Sequence, residues 1–86
     1  MMHVEATHTF IKCYKKLPVD IKERAKKTIE LFSIEPSHPS LGHKKMAGQD
    51  DIYEIRISDN YRITYQKAGR VAYLRKIRTH DTLRNP

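Results

Sequence analysis

Apolar residues recur every three or four positions in the first third of this chain and alternate with polar ones in the last third. In "TFIKCYKKL", Phe10, Cys13 or Tyr14, and Leu17 share a helical spacing, and Thr7 or Thr9 is placed to cap the helix by accepting a backbone N–H. Pro18 ends that run. Asp20 with Glu23 then reads as a capping box for a second helix. In "DIKERAKKTIELF", Ile21, Ala25, Ile29 and Phe32 form one apolar stripe, while Lys22, Glu23, Lys26, Lys27 and Glu30 face water. Two helices joined at a proline predict an αα-hairpin. Ahead of them, "MMHVEATH" sets Val4 between polar neighbours and reads as a short edge strand.

"EPSHPSLGHKKMAGQD" lacks periodicity and carries two prolines and two glycines, so it reads as a long loop with no structure of its own. Alternation follows. In "IYEIRIS", Tyr53, Ile55 and Ile57 point one way, with Glu54, Arg56 and Ser58 the other. "DN" supplies a turn, and "YRITYQ" repeats the pattern with Tyr61, Ile63 and Tyr65 against Arg62, Thr64 and Gln66. After the turn "KAGR", the strand "VAYLRKIR" breaks its alternation: Val71, Tyr73 and Ile77 share a parity that Leu74 does not. A bulge near Arg75, or burial on both faces, accounts for that.

These elements predict an α+β fold: an N-terminal strand, a two-helix hairpin and a three-stranded antiparallel meander, forming a twisted sheet with the helices on one face. With 86 residues and 38% hydrophobic content, one small domain over residues 1–86 with a thin core is expected. No apolar run is long enough to span a membrane, and the N-terminus lacks the basic start and apolar core of a signal peptide. The lone cysteine, Cys13, excludes an internal disulfide. A cytoplasmic protein is expected.

Charge sharpens the picture. The net charge is +7. Residues 1–60 carry ten Lys/Arg against nine Asp/Glu, and residues 61–86 carry seven against one, so +6 of the excess lies in the last third. Such a field suits a polyanion or an acidic protein.

The chemical inventory is narrow. Cys13 reads as a packed core residue. The five histidines (His3, His8, His38, His43, His80) show no tight metal-ligand spacing, and no phosphate-binding glycine loop is present. Arginines, lysines, tyrosines and one well-placed histidine remain. That set suffices to cut RNA, because the substrate brings its own nucleophile, the 2′-hydroxyl. The protein must stabilise the crowded phosphate and move two protons. The products would be a 2′,3′-cyclic phosphate and a 5′-hydroxyl.

The order helix–Pro–helix, "HPSLGHKKMAG", "YEIRISDNYRITY" and "YLRKIRTHDTL" resembles the RelE/ParE superfamily of type II toxin–antitoxin toxins, from about Val4 to Leu83. The resemblance implies one of two activities: mRNA cleavage, often in the ribosomal A site, as in RelE, YoeB and YafQ, or poisoning of DNA gyrase, as in ParE. The RNA-cleaving branch fits more closely, through a histidine near the C-terminus. It implies His80, Arg62, Lys44, Lys45 and Arg78 as catalytic residues, with His80 as acid or base. His43, Arg56, Arg75 and Lys76 would contact RNA. It further implies no metal or organic cofactor, a cognate antitoxin as partner, a monomer when free, and a hetero-oligomer with the antitoxin. A nucleic-acid-binding module without catalysis is a third reading, driven by phosphate contacts.

Overall fold

The structure, a computed structural model, describes residues 1–48 and 51–79. The chain runs through β1 (His3–Ala6), α1 (His8–Lys15), α2 (Val19–Ile34), a single 3-10 turn (Pro39–Leu41), β2 (Lys44–Lys45), β3 (Ile52–Arg56), β4 (Tyr61–Ala68) and β5 (Val71–Thr79). The strands form one sheet in the order β1-β5-β4-β3-β2. β2 to β5 pair antiparallel, and β1 joins the edge of β5 in parallel. The fold is therefore the expected α+β arrangement with the N-terminal strand at one edge.

The loop reading of "EPSHPSLGHKKMAGQD" needs correction. Pro39–Leu41 makes a helical turn closed by Gly42 in the left-handed conformation (φ 54°). Lys44 and Lys45 then pair with Glu54 and Tyr53 as a fifth strand. Two paired residues are too few to show any periodicity in sequence.

Thr7, of the two threonines proposed, is the N-cap of α1. Its hydroxyl accepts from the Phe10 N–H at 3.2 Å and donates to the Leu74 carbonyl at 2.6 Å, tying the helix start to β5. The Asp20–Glu23 capping box is not formed. α2 starts two residues earlier, with Pro18 in extended conformation as its N-cap and no side-chain cap bond. The Pro18 carbonyl accepts the first helical bond from the Lys22 N–H at 2.9 Å. Asp20 sits in the first turn, where its charge favours the N-terminal end of the helix dipole.

The helices cover one face of the sheet. Phe10, Ile21, Ala25 and Phe32 from the helices pack with Ile55, Ile57, Ile63, Tyr65, Ala72, Leu74 and Ile77 from the sheet side. Burial of such side chains contributes about 1.5–3 kcal/mol each for the larger ones. The broken alternation of β5 is a bulge: Thr64 pairs with Lys76 and Tyr65 with Leu74, which leaves Arg75 unpaired. The extra residue restores parity, so Leu74 and Ile77 both reach the core, 1% and 9% exposed. Gly69, with φ 60°, turns β4 into β5 directly, since Ala68 and Val71 already pair. Among the described residues no helix is long and apolar enough to cross a membrane.

Candidate nucleic-acid interface

The face of the sheet opposite the helices is built from two cross-strand rows. Arg56 of β3 stands opposite Arg62 of β4, and Arg62 opposite Arg78 of β5. Two residues along, Lys44, Glu54, Thr64 and Lys76 follow one another across β2, β3, β4 and β5. Successive side chains alternate in a strand, so both rows share one face. Neighbouring strands lie about 4.8 Å apart and alternate residues about 7 Å, so the arginine row spans about 10 Å and the second row runs beside it at about 7 Å. Five of the predicted site residues (Lys44, Arg56, Arg62, Lys76, Arg78) are thus brought together by register alone.

Thr64 is the floor of this surface, 5% exposed, and its hydroxyl donates to the Lys76 carbonyl at 3.5 Å. The Arg62 guanidinium folds over the β3–β4 turn. It donates to the carbonyls of Ser58, of Asp59 at 3.2 Å and of Tyr61 at 3.1 Å. It is therefore also a turn clamp, and it does not pair with Glu54, which stands opposite Thr64. Glu54, half-buried among the cations, was not singled out by the sequence reading. The signal was present in the parity it shares with Arg56 in "YEIRIS".

Arg75 sits apart on the bulge, where it and Lys76 line a cleft of about 190 Å³ with Thr7 and Thr9. Lys45 and His43 do not join the cationic face. Lys45 stands opposite Tyr53, whose parity is that of the core. The His43 ring lies edge-on to Phe32 and Tyr53, with centroids 5.9 and 5.4 Å away, and tilted against Tyr65 at 5.5 Å. Its Nδ1 donates to the Pro36 carbonyl at 3.1 Å, and its Nε2 accepts from the Tyr65 hydroxyl. A carbonyl can only accept, so Nδ1 carries a hydrogen. Burial first, and the neighbouring Tyr53 second, push the Tyr65 hydroxyl above the ordinary tyrosine range, which keeps it protonated and donating. His43 therefore fastens the segment that leads into β2, rather than facing the cations. His80 lies outside the described residues.

Among the described residues no three His, Cys, Asp or Glu side chains gather to hold a metal. Among the described residues, the centre of this surface offers cations, the Glu54 carboxylate and the Thr64 hydroxyl. These can bind a phosphodiester backbone, stabilise added negative charge on phosphorus, and accept a proton at Glu54.

Comparison with known proteins agrees with this architecture. No curated protein sequence matches the chain. A chain of the RelB–RelE antitoxin–toxin complex from Methanococcus jannaschii superposes with a TM-score of 0.77 at 28% identity, covering 93% of this chain and 94% of that one. The archaeal RelE–RelB complex from Pyrococcus horikoshii OT3 gives 0.74 at 22% identity, over 91% and 93% of the two chains. The DinJ–YafQ toxin–antitoxin complex from E. coli gives 0.77 at 14% identity, over 95% and 96%. The family model of the ParE-like toxin domain matches residues 19–84, from the start of α2 through all of β2 to β5. The chain thus belongs to the ParE-like toxin domain family, within the RelE/ParE superfamily of toxin–antitoxin toxins.

Proposed function

We propose that this chain is the toxin of a type II toxin–antitoxin pair and an endoribonuclease that cleaves mRNA in the ribosomal A site, in the cytoplasm. The observation that carries the reading is the row Arg56–Arg62–Arg78. Like charges directly opposite one another weaken a sheet. A row of three has a physical rationale when a polyanion lies across it. In this reading Arg62 and Arg78 hold the scissile phosphate and stabilise the charge that builds on it. Arg62 turns from the carbonyls of the β3–β4 turn to the substrate. Lys44, Arg56 and Lys76 grip the flanking phosphates, Arg75 extends the track, and His80 protonates the leaving 5′-oxygen. The nucleophile is the substrate's own 2′-hydroxyl, so the chemistry calls for no metal or organic cofactor.

An antitoxin is the natural partner. The RelE and YafQ chains of the comparison structures are bound to RelB and DinJ. An acidic segment that folds on binding would cover the cationic face and silence it. The free toxin would be a monomer, and the complex a hetero-oligomer.

A second reading is favoured by one observation, the match to a ParE-like family model. In it the chain poisons DNA gyrase and cuts no RNA. Inducing the wild type and the Arg62→Ala and His80→Ala variants in bacteria while mapping mRNA 5′ ends separates the two. New in-frame ends with the wild type, lost in the variants, support the nuclease. Intact transcripts with a DNA-damage response, indifferent to His80→Ala, support the gyrase reading.

A further inference from the structure

Glu54 is the carboxylate set among the cations of the sheet face. The face's other carboxylate, Glu5, lies on β1 at the far edge and is taken up by His3 at 2.6 Å. Glu54 has Lys44 opposite it on one side and Thr64 on the other, with Lys76 one strand further. Arg56 is two residues along on the same face, and Arg62 is diagonal to it across the β3–β4 pair. Among the described residues its side chain makes no ion pair and no hydrogen bond, although cations surround it. Its carboxylate oxygens are acceptors set among side chains that are mostly donors and cations. Its place beside the arginine row puts an acceptor next to the position a bound phosphodiester would take.

We infer that Glu54 is the general base of the cleavage, an inference that rests on the nuclease reading above. The carboxylate takes the proton of the 2′-hydroxyl beside the scissile phosphate. The 2′-oxygen forms a bond to phosphorus, supported by Arg62 and Arg78. The bond from phosphorus to the 5′-oxygen breaks, and its electron pair leaves with that oxygen, which is protonated by the general acid proposed above. The products are a 2′,3′-cyclic phosphate and a 5′-hydroxyl, and Glu54 returns its proton to water. Nothing is oxidised or reduced, and no co-reactant is consumed. The two proton transfers are thereby divided: Glu54 removes one, and a different group supplies the other.

The test is single-turnover cleavage of a defined mRNA on programmed ribosomes by the full chain. It compares the wild type with Glu54→Gln and Glu54→Asp, on an all-oxygen RNA and on one with sulfur replacing the leaving 5′-oxygen. Sulfur leaves without being protonated, so it relieves loss of the acid and not loss of the base. Glu54→Gln should slow cleavage of both substrates by about 10²–10⁴-fold. Glu54→Asp, which keeps a carboxylate, should recover part of the rate, and all three proteins should share one unfolding midpoint. Undiminished cleavage by Glu54→Gln overturns the inference while leaving the nuclease reading intact. A loss restored by sulfur makes Glu54 the acid and also overturns it. No cleavage by the wild type overturns the nuclease reading and this inference together.

Discussion

The Tyr65 hydroxyl is buried, donates to His43 and is held above the ordinary tyrosine range by burial. Its titration is therefore a stability statement. In the unfolded chain a tyrosine releases its proton near pH 10, whereas the native state retains it. Unfolding then releases a proton, so stability falls as pH rises from about 10 toward the raised native value, by up to about 1.4 kcal/mol per pH unit. Below about pH 10 both states are protonated and the contribution is flat. Tyr65→Phe removes the slope and costs about 0.5–1.5 kcal/mol at neutral pH through the lost hydrogen bond. Urea unfolding of both proteins at neutral pH and at about pH 9 to 11 checks this: their stability gap should narrow above about pH 10. A gap independent of pH would mean that Tyr65 titrates normally. At this scale the sequence was half legible. Alternation put Tyr65 in the core. Nothing in "LGHKK" showed that His43 turns toward Tyr65 while Lys44, next but one to Gly42, turns to the other face, because that choice is set by pairing with β3.

Among the elements, β3 to β5 carry a tension between fold and surface. The arginines of the row repel one another, and Arg56, exposed and held by no ion pair among the described residues, is the one least tied to the structure. Arg56→Thr should leave stability unchanged or raise it by about 0.2–1 kcal/mol. The same change should lower cleavage, the pattern of a site that trades stability for function. Thermal unfolding beside the cleavage assay reads both, and a clear loss of stability would make Arg56 a structural residue. The start of α1 behaves oppositely. Thr7→Ala removes the cap to Phe10 and the tie to Leu74, and should cost about 1–2 kcal/mol with no direct effect on the cationic surface. Elements long enough to show a period were readable, including the β5 irregularity, where sequence left two explanations and the unpaired Arg75 selects the bulge. The 3-10 turn and two-residue β2 were not readable, since each spans a single period and so shows no repeat.

At the scale of the molecule, hydrophobic and charged residues are separated onto the two faces of one sheet, with helices sealing the first. Arg62, Lys76 and Arg78 of the basic last third thereby share one face, extended by Arg56 and Lys44 from the neighbouring strands. If that face tracks a single strand of RNA, each phosphate-contacting cation removed should reduce the slope of log affinity against log salt by about 0.7. Lys44→Ala and Lys76→Ala should do so, while Lys45→Ala, on the other side of β2, should not. Equal effects of Lys44→Ala and Lys45→Ala would contradict the division of faces. The charge excess itself was visible in composition. Its gathering onto one surface depends on cross-strand register, which joins residues as distant in sequence as Lys44 and Lys76.

The central claim is that this surface cuts messenger RNA. It is tested most directly by sequencing mRNA 5′ ends after brief induction of the wild type and of Arg62→Ala in the same bacterial host. The account predicts new 5′-hydroxyl ends within translated frames for the wild type, reduced about 100-fold or more in the variant, as for loss of a group that stabilises the transition state. Intact transcripts in cells arrested by the wild type, or equal cleavage by both proteins, would contradict it.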